Sequence, residues 1–110
     1  MNTKILMTQE ILSNSLSLTQ MIKKGNIELK NKYLKLKTDY KIIIPYKEII
    51  KCKLKEYKNI VTYIYLKTTN KKFYIFIPRI NICNLIIITN KKRTIRIYNQ
   101  IREKIIRLDR

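Results

Sequence analysis

Residues 60–77 read IVTYIYLKTTNKKFYIFI, and this stretch decides the predicted fold. Apolar side chains fall at every second position on both sides of a polar break at Thr69–Asn70, as at Ile64 before it and Phe73 after it. Alternation with period two is typical of a strand with one buried face, and a short polar break between two such runs is typical of a hairpin. The stretch therefore predicts two consecutive antiparallel strands.

The same alternation continues on both sides of this hairpin. Upstream, residues 27–37 and 50–55 alternate, and residues 41–45 form a short apolar run that ends at Pro45. Downstream, residues 85–89 form a second apolar run. Polar stretches of Asn, Asp and Lys separate these segments, as expected of turns. The sequence predicts a curled antiparallel sheet of about six to seven short strands, because one face of the sheet must be buried.

Helices are expected at both ends of the sheet. In residues 8–24 the apolar side chains return at spacings of three and four, with Thr8 as N-cap and Gly25 as C-terminal cap. In residues 94–110 they follow the same spacing, although the segment RTIRI alone alternates like a strand. We expect a strand that ends just before Asn99 and a helix that begins there, with Asn99 as its N-cap.

The predicted fold class is therefore α+β, with an N-terminal helix, the curled sheet and a C-terminal helix. The N-terminal helix occupies residues 1–25 and is either part of the domain or appended to it. Residues 26–110 are expected to form a single basic antiparallel-sheet domain that ends in the C-terminal helix. A chain of 110 residues is the right length for one domain with a modest core.

The chain is strongly basic, and the excess belongs to its body. It has 25 Lys and Arg against 7 Asp and Glu, a formal net charge of +18. Residues 1–22 contain one base, Lys4, and one acid, Glu10, so the remaining residues carry the whole excess. Such a charge repels itself in a compact state unless a polyanion neutralises it. The charge predicts RNA as the partner, bound through its phosphate backbone, within a large ribonucleoprotein that also contains neighbouring proteins.

Coding bias is an alternative origin for part of this excess. The chain has no Ala and one Gly, whereas Ile, Lys, Asn and Tyr are abundant. Residue types whose codons begin with G, including Asp and Glu, are scarce together, as a strong A/T bias would produce. The chain carries the charge whatever its origin, so its physical consequences remain.

Catalysis receives no support from the residue types present. The chain has no His, which is the commonest general base near neutral pH, and a single Gly excludes a Gly-rich phosphate loop. Cys52 and Cys83 match neither a zinc-site spacing nor a disulfide framework and are expected to be small buried strand residues. We predict that the chain is not an enzyme, with no catalytic residue, no metal and no cofactor.

Localisation is predicted from the same features. The uncharged stretch from Ile80 to Asn90 is too short and too polar to span a bilayer, and residues 1–22 lack the apolar core of a secretion signal. We expect no transmembrane segment and an intracellular, reducing compartment. An organelle such as a mitochondrion or plastid, which would encode the protein locally, fits the A/T bias.

The candidate RNA-binding residues are outward strand residues, charged turns and the basic C-terminal segment. Lysines pair with phosphates and aromatic rings stack on bases, which suits RNA or single-stranded nucleic acid. Outward Lys and Tyr are also ordinary strand residues, so packing and solvation are the alternative explanation. The candidates are Lys35, Lys37, Lys51, Lys53, Lys55, Lys71, Lys72, Arg79, Lys91, Lys92, Arg93, Arg96, Arg102, Arg107, Tyr33, Tyr63 and Tyr65.

One stretch resembles a known family. Residues 31–54 read NKYLKLKTDYKIIIPYKEIIKCKL, in which a strand leads into an IPY-x-x-I turn. This stretch resembles the first strands of small bacterial pleckstrin-homology-like domains, and the likeness covers roughly residues 27–67. It implies a curled sheet capped by a C-terminal helix, and a binding module for lipid headgroups, peptides or an immunity target. The predicted N-terminal helix and the excess charge depart from that pattern.

Two main functions follow from the sequence, and a small subunit of another nucleic-acid machine, such as a polymerase, is a third alternative. The first is a non-catalytic RNA-binding structural protein, namely a ribosomal subunit protein that neutralises rRNA phosphates. Small basic chains with this composition resemble ribosomal proteins encoded by organelles. The second is the pleckstrin-homology-like binding module, recruited by the same lysines to an anionic membrane surface.

Overall fold

The computed structural model describes residues 2–11, 23–38, 41–57, 61–77 and 89–108. Within these ranges it contains seven β-strands, one short 3-10 helix and one α-helix. The strands are β1 (Asn2–Ile11), β2 (Lys23–Leu29), β3 (Tyr33–Lys37), β4 (Lys41–Pro45), β5 (Lys51–Tyr57), β6 (Val61–Lys67) and β7 (Lys71–Phe76). The 3-10 helix spans Tyr46–Glu48, and α1 spans Lys91–Leu108.

The strands form two three-stranded antiparallel units that β1 joins edge to edge. The first unit is β2–β3–β4 and the second unit is β5–β6–β7. β1 pairs antiparallel with β2 on one side and with β7 on the other. The order is β4-β3-β2-β1-β7-β6-β5, so β4 and β5 are the edge strands of the part of the chain that is described.

The short connection between these edge strands forces the sheet to bend. Residues 46–50 separate β4 from β5, and an extended chain crosses at most about 22 Å between Pro45 and Lys51. In a flat seven-stranded sheet the two edges would lie about 29 Å apart, because neighbouring strands are about 4.8 Å apart. Since the connection cannot cross that gap, the sheet curls and turns the inner faces of both units toward one core.

The inner face of the sheet and one side of α1 form this shared core. Leu36 of the first unit, Ile64 and Ile75 of the second unit, and Ile97 and Ile101 of α1 are buried in a single cluster. Along β6 every second residue is buried and the residues between them are half-buried, which is the alternation of a strand with one covered face. The opposite surface of the sheet is its outer face.

The prediction of an N-terminal helix is wrong for the described residues of that stretch. Residues 8–11 belong to β1 and pair with residues 71–74 of β7, and residues 23–25 belong to β2 and pair with residues 5–7 of β1. β1 pairs with β2 over residues 2–7 and with β7 over residues 6–11, so backbone hydrogen bonds to neighbouring strands outweigh a local helical spacing of apolar side chains. The rest of the predicted helix, residues 12–22, lies outside the described residues.

Gly25 is a strand residue and not the predicted helix cap. A Cβ atom at this position would overlap the carbonyl oxygen of Lys37 and would lie 2.8 Å from Cγ2 of Thr38. The missing side chain therefore allows β2 and the end of β3 to approach closely.

The C-terminal helix begins at Lys91, so the predicted strand over residues 93–98 and the predicted helix start at Asn99 are wrong. Asn90 is the N-cap, because its side-chain oxygen accepts a hydrogen bond from the Arg93 N–H at 3.1 Å. The buried residues of α1 are Thr94, Ile97 and Ile101. These residues recur at spacings of three and four, and the first two lie in the RTIRI segment. Burial of this apolar side of the helix against the sheet favours a helix there, although RTIRI alone alternates like a strand.

The strands and single helix of the described residues are compatible with an α+β class, but the predicted architecture is wrong. It placed a helix at each end of one curled sheet, whereas the chain begins with a strand that joins two three-stranded units. The predicted strand over residues 85–89 lies outside the described residues, apart from Thr89. The Thr89 hydroxyl is buried and accepts a hydrogen bond from the Thr62 N–H at 2.8 Å.

Candidate nucleic-acid interface

Four aromatic side chains form one connected surface on the outer face of β6 and β7. The register sets Tyr63 opposite Phe76 and Tyr65 opposite Tyr74. The ring centroids of these two pairs are 5.1 Å and 5.4 Å apart, and those of Tyr63 and Tyr74 are 6.3 Å apart. All three distances suit favourable aromatic contact. We call these four residues the aromatic panel.

The aromatic panel is half-exposed on a face that no described element covers. All four side chains are of intermediate exposure. α1 packs on the other side of the sheet, where it contacts β5, β6 and the 3-10 helix. The rings therefore support one another through tilted contacts, and a flat partner can approach them from the outer side.

Lysines border the aromatic panel on two sides. The edge strand β5 carries Lys51, Lys53 and Lys55 on its outer face, and all three are exposed. Across one end of the second unit, the register places Lys51, Lys67 and Lys72 side by side on three adjacent strands. We call these last three residues the lysine row. The panel thus lies in the corner between two lines of positive charge.

The lysine row sets three like charges side by side on adjacent strands. Among the side chains that the structure describes, no carboxylate forms an ion pair with Lys51, Lys67 or Lys72. The next position in this row, on β1 and opposite Lys72, is Glu10. Like charges directly opposite each other on neighbouring strands are destabilising, so an anion bound between these lysines would stabilise the row.

One lysine contacts the aromatic panel directly. The Lys55 Nζ lies 5.0 Å from the ring centroid of Tyr65, although its cross-strand partner in register is Tyr63. A cation this close to a ring face is attracted by the ring's electrons. The contact shows that a charged group can reach the outer side of the panel.

The outer face of the first unit carries predicted residues that are partly neutralised. The Nζ of Lys35 lies 4.0 Å from the Glu28 carboxylate, which also pairs with Lys30 at 3.2 Å. The hydrogen bond from Lys30 and the charge of Lys35 lower the pKa of Glu28. Tyr33 lies opposite Pro45, not opposite another ring. This unit therefore has lysines without a comparable aromatic surface.

Six predicted residues lie on α1, away from the outer face of the sheet. They are Lys91, Lys92, Arg93, Arg96, Arg102 and Arg107. Lys91 pairs with Glu56 at 3.0 Å and lowers the pKa of that carboxyl, and Arg107 pairs with Glu103 one turn away. The Arg102 guanidinium donates a hydrogen bond to the Tyr98 hydroxyl at 3.2 Å. Several of these cations therefore have local partners.

The structure divides the predicted site residues instead of uniting them. Lys51, Lys53, Lys55, Lys72, Tyr63 and Tyr65 come together on the outer face of the second unit. Lys35, Lys37 and Tyr33 lie on the first unit, and the six helical residues lie on α1. Lys71 is half-buried at the turn between β6 and β7, and Arg79 lies outside the described residues. The predicted turn of Lys91, Lys92 and Arg93 is the first turn of α1.

The prediction missed two residues of this surface, Lys67 and Phe76, whereas Tyr74 shares the outward spacing that the sequence shows for Tyr63 and Tyr65. Tyr74 and Phe76 follow Lys72 at spacings of two, and Lys67 follows Tyr65 in the same way. Period two therefore places them on the same face of their strands. Their common surface depends on the register between strands, which the spacing within each strand does not give.

The described cysteine is poorly suited to nucleophilic chemistry. Cys52 lies on β5 among inner-face residues, and burial raises the pKa of its thiol to about 11. The reactive thiolate is therefore scarce near neutral pH. The predicted burial of Cys83 concerns a residue outside the described ranges.

Comparisons with protein-family models and with curated proteins find no match to this chain. Within the described ranges, no helix combines the length and the apolar character that a transmembrane span requires.

Proposed function

We propose that this chain is a non-catalytic RNA-binding protein that holds single-stranded RNA on the outer face of β5, β6 and β7. The observation that carries the proposal is the juxtaposition of the aromatic panel with the lysine row. Each feature alone is common on strands, but together they match the two chemistries of an unpaired nucleotide. Bases offer flat rings, and the backbone offers one negative charge per phosphate.

The aromatic panel supports stacking. Its rings are held by their neighbours at centroid distances of 5.1 to 6.3 Å and remain half-exposed. Stacking of a base on an aromatic side chain contributes about 1–3 kcal/mol, whatever the base. Unpaired bases can reach the panel, whereas bases in a duplex are stacked on each other. We therefore expect a preference for single strands with little preference for sequence.

The lysines support binding of the phosphate backbone. Five of them border the panel: Lys51, Lys53, Lys55, Lys67 and Lys72. Five phosphate contacts to single-stranded RNA correspond to a slope of about −3.5 for log affinity against log salt. Raising the salt from 50 to 200 mM should then weaken binding about 100-fold.

Fluorescence anisotropy with a labelled oligouridylate tests the proposal. We expect binding at 50 mM salt, the steep salt dependence above, and weaker binding of a duplex of equal length. The double change Tyr63→Leu and Tyr65→Leu should weaken binding at least about tenfold. Tyr33→Leu, an outward Tyr on the first unit, is the matched control and should bind like the wild type. Equal affinity of all three proteins for single strands and duplex would contradict the proposal.

A pleckstrin-homology-like module for anionic membrane surfaces is the second candidate, and the order of elements favours it. Seven antiparallel strands precede a C-terminal helix in the described residues. Tyr46 of the IPY-x-x-I turn is buried, and its hydroxyl donates a hydrogen bond to the Lys30 carbonyl at 2.7 Å. Fold alone does not fix function. Flotation with phosphatidylserine vesicles, together with no binding of oligouridylate, would favour this candidate.

The ribosomal assignment stays a prediction from composition. If it is right, the endogenous protein should sediment with ribosomal particles at low salt and leave them at high salt, because its contacts would be mainly ionic. Sedimentation as a free monomer at low salt would contradict it.

A further inference from the structure

We propose that the lysine row is a discrete phosphate subsite, an inference that rests on the proposed RNA-binding function. Lys51, Lys67 and Lys72 bind one backbone phosphate between them. The aromatic panel beside the row takes the base that is attached to this phosphate. The proposal assigns a polarity to the surface, with phosphate at the β6–β7 turn and bases toward Phe76.

Backbone hydrogen bonds hold the three lysines at adjacent positions. The turn between β6 and β7 is closed by the Thr68 N–H, which donates to the Lys71 carbonyl at 2.9 Å. This closure fixes Lys67 directly opposite Lys72. On the other side, the Ile50 N–H donates to the Lys67 carbonyl at 2.7 Å and anchors the start of β5 there. The row is therefore set by strand pairing, and only the flexible ends of the side chains remain to be ordered.

The charge of the row is unusual within this basic chain. Cβ atoms of directly opposite residues lie about 4.5–5.5 Å apart, so three ammonium groups can converge on one small anion. Lys37 and Lys41 are also opposite each other, but they form a pair and not a row. Lys35 has Glu28 within 4.0 Å, whereas in the row only Lys72 faces a carboxylate position, Glu10 of β1. Of the described outer-face lysines, those of the row are the best arranged to surround a phosphate.

The distance between the row and the aromatic panel fits a nucleotide. Tyr65 and Tyr74 lie two residues from Lys67 and Lys72 on the same strands and faces. Two residues of a strand span about 7 Å. A phosphate over the row therefore leaves its own base within reach of these two rings.

Inorganic phosphate tests the subsite without RNA. Thermal unfolding should be followed by circular dichroism in 50 mM sodium phosphate and in sodium chloride of equal ionic strength. We expect phosphate to raise the wild-type Tm by about 4 °C over chloride, because it binds only the folded row. The double variant Lys67→Gln and Lys72→Gln should melt above the wild type in chloride, since like charges are removed, and should lose the response to phosphate.

The matched control is Lys37→Gln with Lys41→Gln, which removes the same charge from the other lysine pair. This variant should keep the wild-type response to phosphate. Equal phosphate responses in all three proteins, or no response in the wild type, would overturn the subsite. Oligouridylate should abolish the response by occupying the row, whereas phosphatidylserine vesicles should not. If the vesicles abolish the response and oligouridylate does not, the row binds the phosphate of a lipid headgroup, and its assignment to RNA is wrong.

The subsite and the RNA function can fail separately. Loss of oligouridylate binding with a surviving phosphate response would reject the function and leave the anion site. Binding of oligouridylate by the Lys67→Gln and Lys72→Gln variant as tightly as by the wild type, together with no phosphate response in the wild type, would reject the subsite and leave the function.

Discussion

The outer faces of the two units carry similar lysines and differ in what surrounds them. On the first unit, Lys35 and Lys30 share the Glu28 carboxylate. On the second unit, three lysines lie side by side in the lysine row, with Glu10 of β1 next to Lys72, and the row borders the aromatic panel. Opposite charges on neighbouring strands stabilise a sheet, and like charges destabilise it. The register between strands, which sets three lysines beside four aromatic rings, therefore separates an ordinary solvated surface from a candidate site.

The largest effect is expected from Gly25→Ala, which damages the first unit alone. The new Cβ would overlap the Lys37 carbonyl oxygen where β2 meets β3. Overpacking of this kind costs about 3 kcal/mol, and chemical denaturation should report it as a lower free energy of unfolding. Below its melting temperature, the variant should bind oligouridylate like the wild type, because the proposed site lies on the other unit.

Asn26→Ala is the matched control for that change, since Asn26 is the neighbouring residue on the outer face of β2. Its free energy of unfolding should stay close to that of the wild type. If Gly25→Ala unfolds no more easily than Asn26→Ala, the close approach of β2 and β3 is wrong.

The next largest effect comes from removing three lysines from one unit or the other. Changing Lys51, Lys53 and Lys55 to Gln should weaken oligouridylate binding about 100-fold at 50 mM salt and reduce the salt slope by about 2. The matched variant changes three outward lysines of the first unit to Gln, namely Lys35, Lys37 and Lys41. Anisotropy titrations at several salt concentrations compare the two. Equal losses would mean that net charge alone governs binding.

Strands are predicted well from the sequence where two adjacent segments both alternate, and poorly where the partner strand lies far along the chain. The hairpin of residues 60–77 is visible because both of its strands alternate around one polar break. β1 is not visible, because its partner β7 lies far along the chain and the local apolar spacing in residues 8–24 is helical. The start of α1 was missed because RTIRI alternates, although buried contacts with the sheet make it helical.

The candidate site follows the same rule. Period two correctly places Lys53, Lys55, Tyr63 and Tyr65 on one face of their own strands. It cannot show that Lys67 lies between Lys51 and Lys72, because that depends on the register of two different strand pairs. The sequence prediction also grouped the arginines of α1 with this surface, because composition does not reveal which side of a sheet a helix covers.

A smaller effect separates the observed helix cap from the predicted one. Asn90→Ala removes the hydrogen bond to the Arg93 N–H, which should cost about 1 kcal/mol in the free energy of unfolding. Asn99→Ala is the matched control, because Asn99 is exposed within α1 and Ala favours the helix there. Thermal or chemical unfolding should rank Asn90→Ala below the wild type and Asn99→Ala at or above it. The opposite ranking would restore the helix start at Asn99.

The smallest effect is a pH dependence of the first unit. The pKa of Glu28 lies below its ordinary value of 4.5, first through the hydrogen bond from Lys30 and then through the charge of Lys35. A carboxyl whose pKa is lower in the folded state contributes stability above the unfolded pKa and loses it as the pH falls through the folded pKa. The wild-type Tm should therefore fall more steeply below about pH 4.5 than that of Glu28→Gln, as followed by circular dichroism.

The same Glu28→Gln variant is also the sharpest test of the comparison at neutral pH. It removes the carboxylate that Lys30 and Lys35 share and leaves these two lysines of the first unit without that counter-charge. If unpaired charge were sufficient, the variant should gain a second strong RNA site. Because Tyr33 lies opposite Pro45 and has no aromatic partner in register, we expect oligouridylate affinity to rise by no more than about threefold. A larger gain, or a second saturable binding event in the titration, would show that the aromatic panel is dispensable.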